Sequence, residues 1–255
     1  MSISLDKNKH IGIIFQPRSG STILRHYLAE VLNYIDGSEL FNHYVLTPEF
    51  KIDNGNLSVV RHDGQTFGIM TTSEVIERSY NYINSLDQLS ELNYKVVFGV
   101  YLQSFMRDCP DLIKSLSLKN NIQFIRLERQ DFFYSLLSIA VAKRADISWH
   151  NTSQKLEERK IKPFILDQNF IKRKVEDLHF EKNILKKTFE TLPIIYYESY
   201  EKKPHNIMNL FQNIPKKITG FKINKWKENY RDLIINLDEI ESFYNNIISS
   251  NLIHE

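Results

Sequence analysis

The chain has 255 residues, 42% hydrophobic and 25% charged, with a formal net charge of +2. That is the makeup of an ordinary globular protein, long enough to build one large core in a single domain over residues 1–255. Without a dominant basic block, neither nucleic acid nor an anionic membrane surface is expected as a partner.

The one cysteine, Cys109, excludes an intrachain disulfide, and its flanks lack metal-ligand spacing. The first apolar run, Ile11 to Phe15, is too short for the core of a signal peptide. The longest, around Val96 to Leu102, is too short to cross a bilayer. A soluble, cytoplasmic protein is expected, and nothing in the composition opposes a homodimer.

In chain order, His10 to Phe15 (HIGIIF) reads as a buried strand that ends at the turn-forming Gln16-Pro17. From Ser21, the residues Ile23, Leu24, Tyr27, Leu28, Val31 and Leu32 recur at helical spacing, which predicts a helix ending near Asp36-Gly37. Glu49 to Thr71 carries the turn signals Asn54-Gly55 and Asp63-Gly64 between alternating runs (Leu57 to Arg61, Phe67 to Met70), so a small antiparallel insertion is expected there. Tyr94 to Leu102, Ile122 to Glu128 and Leu192 to Tyr197 read as further buried strands separated by helical pattern. The alternation predicts an α/β fold, a P-loop-like parallel sheet flanked by helices. Long helices are expected from Asp167 to Thr191 and from Trp226 through Ile248, with a lysine-rich loop, Lys216 to Lys227, between them.

The junction FQPRSGST therefore lies between a strand and a helix N-terminus, where unpaired backbone N–H groups and the helix dipole favour an anion. Gly20 allows close backbone approach, the hydroxyls of Ser19, Ser21 and Thr22 supply donors, and Arg18 adds a forked charge. A nucleoside-triphosphate loop of the form G-x-x-x-x-G-K-[ST] would require glycine at Phe15 and lysine at Ser21. Both positions fail, which argues against a triphosphate donor and for a shorter anionic ligand. A second segment, IRLERQDFFYSLLSIAVA (Ile125 to Ala142), runs from a strand ending at Arg129 into a helix bearing Ser135 and Ser138. In an open parallel sheet, ligands bind at the carboxyl ends of strands, where Arg129 and the first loop both fall.

Together the two segments resemble sulfotransferases that use 3′-phosphoadenosine 5′-phosphosulfate (PAPS), and among them the bacterial trehalose and related carbohydrate branch. Gly37-Ser38-Glu39-Leu40-Phe41 resembles that branch's glutamate-aromatic segment, Phe98-Gly99-Val100 its second strand, and Trp149-His150 its tryptophan-histidine pair. The likeness covers residues 10–42 and 94–151, is weaker over 192–240 and is absent from 49–71. Tyr101 stands where the branch often has lysine, and Asp146-Ile147-Ser148 replaces a threonine-glycine turn.

The resemblance implies that Arg18, Ser19, Gly20, Ser21 and Thr22 grip the 5′-phosphosulfate and that Arg129 and Ser138 take the 3′-phosphate. It implies that Glu39 is the general base, with Arg18 at the leaving group, and that Phe41, Trp149 and His150 meet a carbohydrate or other small polar acceptor. His43, His62 and His150 are rival bases. No acidic metal cage is evident in the sequence, and sulfuryl transfer from this donor needs no Mg²⁺, so none is expected. A P-loop-like nucleotide kinase and a non-catalytic nucleotide-binding protein of the same fold are the competing readings.

Overall fold

The computed structural model describes residues 2–43, 47–54, 56–60, 70–102, 106, 110–144, 161–201, 204–215 and 230–250. Cys109, Trp149, His150, His62, the Asp63-Gly64 turn and the lysine-rich loop lie outside them.

Five parallel strands form the centre: β2 (His10–Phe15), β3 (Ile35–Leu40), β6 (Val96–Tyr101), β7 (Ile122–Glu128) and β8 (Ile194–Tyr196). Their order in the sheet is β3-β6-β2-β7-β8, every neighbouring pair parallel. This is the α/β architecture expected from the alternation of apolar runs and helical pattern. The short β1 (Ile3–Ser4) pairs in parallel with β9 (Phe211–Gln212), away from the main sheet. The insertion contains an antiparallel hairpin of β4 (Glu49–Asp53) and β5 (Asn56–Val60).

Strand β2 is buried along its whole length, and its two faces enter different clusters. Ile11, Ile13 and Phe15 pack with Leu24, Tyr27 and Leu28 of α1 (Ser21–Leu32). Ile14 packs with residues from α2 (Thr72–Glu91), including Val75, Leu86 and Leu89, and with Leu112 and Leu116 of α3 (Pro110–Ser117). That is the period of two expected of a strand with helices on both sides. A third cluster joins α4 (Phe132–Arg144), α5 (Gln168–Thr188) and α8 (Leu237–Ser249).

Two expected boundaries move. The first helix stops at Leu32, because Asn33 adopts left-handed backbone (φ 56°) and its N–H bonds the Ala29 and Glu30 carbonyls. Asp36 and Gly37 consequently lie within β3, so the Gly37-to-Phe41 stretch is an edge strand of the sheet and its exit rather than a free turn. The segment expected to be one helix through Ile248 is broken as well. After α7 (Tyr230–Leu233), Ile234 pairs with Phe164, and Ile235 N–H donates to the Phe164 carbonyl at 2.9 Å. The Asn236 side chain bonds both the N–H and the carbonyl of Leu166, and α8 starts only afterwards. The α5 helix begins where expected, with Asp167 capping the Asn169 N–H at 2.9 Å. Among the described residues, no helix is long and apolar enough to cross a membrane.

Candidate functional site

Strand β2 connects by way of α1 to β3 on one side of the sheet, whereas β7 leads on to β8 on the other. The carboxyl ends of the adjacent β2 and β7 therefore flank a topological switch point, where open α/β sheets form a crevice. The loop 16–20 leaves β2 there, and Arg129 follows β7 there.

The loop has an unusual backbone. Arg18 has φ 62° and Gly20 φ 80°, both left-handed. At Gly20 a Cβ would fall 2.4 Å from the Tyr197 ring, so only glycine fits. No side chain caps the N-terminus of α1, in contrast to α2, where Thr71 and Glu74 form a complete capping box. Ser19 is fully buried, and its hydroxyl has no hydrogen-bond partner among the described residues. A buried hydroxyl beside uncapped helix amides suits an anion with several oxygens.

Side chains from both sequence segments meet at Arg18. Its Nε donates to Ser138 Oγ at 2.7 Å, and Arg129 donates from Nη1 to the Arg18 carbonyl at 3.2 Å. Arg129 is held from two further directions: its guanidinium lies 5.0 Å over the Tyr197 ring, and its Nε is 3.9 Å from the Glu198 carboxylate. Glu198 also accepts from the N–H groups of Gln130 and Asp131 at the entrance to α4, at 3.0 and 3.2 Å. Burial lowers the Arg18 pKa from its ordinary value, and the nearby Arg129 charge adds to the lowering. Two guanidinium groups share a crevice at the carboxyl end of the sheet, an arrangement relieved by a bound anion.

Glu39 stands on the other side of the loop. It is buried in β3, next to Gly99 of β6. Between Asp36 and Glu39 the register with β6 slips, three residues of β3 spanning two of β6, and this bulge re-aims the carboxylate. Oε1 of Glu39 accepts from Ser21 Oγ and Thr22 Oγ1, each at 3.4 Å, so the acid touches the start of α1. Oε2 accepts from the Asn42 amide at 2.9 Å.

Phe41 is fully buried in the cluster that includes Leu40 and Val75. The His43 ring bonds the Met70 carbonyl at 3.0 Å, and Met70 N–H returns a bond to the His43 carbonyl. Tyr101, at the end of β6, packs its ring 5.4 Å from that of Phe15.

The structure thus gathers Arg18, Ser19, Gly20, Ser21, Thr22, Glu39, Arg129 and Ser138 around one loop. The sequence reading missed Asn42, Tyr197 and Glu198, which hold Glu39 and Arg129. Asn42 had a local signal, since it follows Glu39 by three residues. Tyr197 and Glu198 had only their place at the end of β8.

No family model, no curated protein and no solved structure matches the chain.

Proposed function

We propose that the chain is a sulfotransferase that moves a sulfuryl group from PAPS to a hydroxyl of a carbohydrate or other small polar acceptor. One observation carries the reading: the same loop that presents uncapped amides, a buried unpartnered hydroxyl and Arg18 also touches the buried carboxylate of Glu39. An anion cradle and an acid separated by one hydroxyl layer match a reaction in which a leaving phosphate and an entering hydroxyl flank the group transferred.

In this reading Glu39 takes the proton of the acceptor hydroxyl, and the freed oxygen pair forms the new O–S bond. The S–O bond to the 5′-phosphate breaks, and its electron pair stays on the phosphate oxygen. Products are a sulfate monoester, 3′,5′-adenosine bisphosphate and protonated Glu39, which returns its proton to water. Arg18 and the amides of Ser21 and Thr22 stabilise the charge that grows on the leaving phosphate. Arg129, held by Tyr197 and Glu198, pairs with the 3′-phosphate, together with Ser138. Serine at position 21 leaves no lysine for a triphosphate, which disfavours a kinase.

A calorimetric titration separates the readings. Saturable binding of 3′,5′-adenosine bisphosphate without affinity for ATP is expected, and the reverse pattern overturns the proposal. In the same titration Arg129→Ala should weaken binding by about 1.5 to 3 kcal/mol, the range for a hydrogen bond to a charged group. Transfer of labelled sulfuryl to a panel of sugars then distinguishes the enzyme from a protein that only holds the nucleotide.

A further inference from the structure

One aromatic ring stands between the two cationic parts of the crevice. Tyr197 follows β8, its N–H donating to the Glu128 carbonyl at 2.9 Å, and its side chain is buried. The ring lies against the anion loop: a Cβ on Gly20 would meet its Cδ2 at 2.4 Å and its Cε2 at 2.5 Å. The same ring carries the Arg129 guanidinium, 5.0 Å from its centroid. Tyr200, fully buried in the short α6 (Glu198–Glu201), fixes it in turn, packing edge-on at 5.4 Å and donating from its hydroxyl to the Gly20 carbonyl at 3.3 Å. Tyr197 therefore touches both the loop and the arginine that follows β7.

Arg129 also has a partner that it does not close on. Its Nε is buried and makes no hydrogen bond among the described residues, and Glu198 Oε2 is buried without one as well. The two side chains stop at 3.9 Å, Nε to Oε1, where a charged pair free to close would come to about 2.7 to 2.9 Å. The guanidinium is kept at that distance by its seat over Tyr197 and by the bond from Nη1 to the Arg18 carbonyl at 3.2 Å. We infer that Tyr197 is a positioning residue: its ring sets the separation between the loop and Arg129 and withholds Arg129 from Glu198, so that a ligand with two separated anionic groups binds far better than one with either group alone. A rigid spacer makes the second contact intramolecular at a fixed reach, and the gain is lost when the spacer yields. This rests on the PAPS reading for which ligand carries the two groups, but not for the role of the ring in placing Arg129.

The test measures dissociation constants of 3′,5′-adenosine bisphosphate, 5′-AMP and 3′-AMP. Wild-type protein should bind the bisphosphate about 10-fold or more tighter than either monophosphate, the low end for a hydrogen bond to a charged group. Tyr197→Phe keeps the ring and should keep this preference. Tyr197→Leu should reduce it to about twofold while 5′-AMP alone binds nearly as before, because Arg129 is released to Glu198. Adding Glu198→Gln, which removes the rival charge but leaves an oxygen for the Gln130 and Asp131 N–H groups, should restore part of the preference. If Tyr197→Leu does not fold, Tyr197→Met, flexible and of similar volume, takes its place. Equal weakening of all three nucleotides in the Leu variant would mean that the ring only supports the fold and overturns the inference, as does a preference that survives the loss of the ring or is not rescued by Glu198→Gln. Failure of the donor reading looks different: no adenosine phosphate binds wild-type protein. The role of the ring is then decided without ligand by the Arg129 Nε–H resonance, which should move downfield in Tyr197→Leu and return in part with Glu198→Gln. A shift indifferent to Glu198→Gln overturns it.

Discussion

Glu39 is set by its neighbours more than by its own conformation. Ser38 and Phe41 on either side both have left-handed backbone, φ 62° and 60°, a conformation that costs a non-glycine residue energy and persists where surrounding packing enforces it. With Ser21 and Thr22 on one oxygen and Asn42 on the other, the carboxylate is aimed at the loop and prevented from rotating away. Glu39→Gln keeps the size and most of the hydrogen-bonding shape but cannot accept a proton. We expect sulfuryl transfer to fall about 100- to 10,000-fold, the range for a general base, with bisphosphate affinity within about twofold of wild type. Single-turnover transfer assays beside calorimetry check this. Unchanged turnover in Glu39→Gln would pass the role of base to a histidine.

The element that carries Glu39 is the one the sequence hides best. Strands β2, β6, β7 and β8 announce themselves as short apolar runs, but β3 reads IDGSEL, half polar and interrupted by Gly37. It is a sheet edge whose bulge interrupts alternation, so neither the period of a strand nor that of a helix survives in it. The break before α8 was hidden for a different reason. A bridge to Phe164, some seventy positions away, overrides a local helical pattern.

The anion loop and Arg129 were legible because strand, small-residue loop and helix follow each other in sequence. The supports of Arg129 come from β8 and the turn after it, and no local pattern encodes that meeting. Next to β3, Gly99 supplies the room Glu39 needs: an added Cβ would stand 2.7 Å from Phe15 Cε1 and 3.2 Å from Glu39 Cγ. Gly99→Ala should overpack this junction and cost about 1 to 3 kcal/mol, seen as a melting point several degrees lower. Transfer should suffer more than nucleotide binding, because the displaced group is Glu39 and not the loop. A variant with wild-type melting and turnover would show that β3 yields freely at this point.

At the scale of the whole molecule, two buried titratable groups tie helices to β2 from its opposite ends, and they respond to pH in opposite senses. At the start of β2, the Val96 N–H donates to His10 Nδ1, so the imidazole proton sits on Nε2, facing the Leu86 carbonyl at 2.9 Å and Ser90 Oγ at 2.7 Å. A second proton has no acceptor on that side, and burial lowers the His10 pKa from 6.5 to about 4. Between those values the unfolded chain binds a proton that the folded chain refuses. Stability from this group is therefore complete above about pH 6.5 and is lost on acidification, by about 3 kcal/mol at pH 4.

Just past the other end of β2, Gln16 donates to the Leu178 carbonyl of α5 at 2.9 Å, one turn before the buried Glu181 on the same helix. Helix α5 joins the cluster beneath the sheet through Leu185 to the C-terminal cluster through Val175 and Leu178, so this contact fixes the loop's base to both. Burial, and after it the Asp177 charge, raises the Glu181 pKa well above its ordinary 4.5. The folded chain keeps this proton where the unfolded chain releases it, so Glu181 lowers stability as pH rises above 4.5 and partly masks the His10 slope. Glu181→Gln removes the masking term. Urea midpoints between pH 4.5 and 7.5 should rise most at the neutral end, giving the variant a steeper acid fall than wild type. Parallel midpoint curves for the two proteins would mean that Glu181 titrates alike in the folded and unfolded chains.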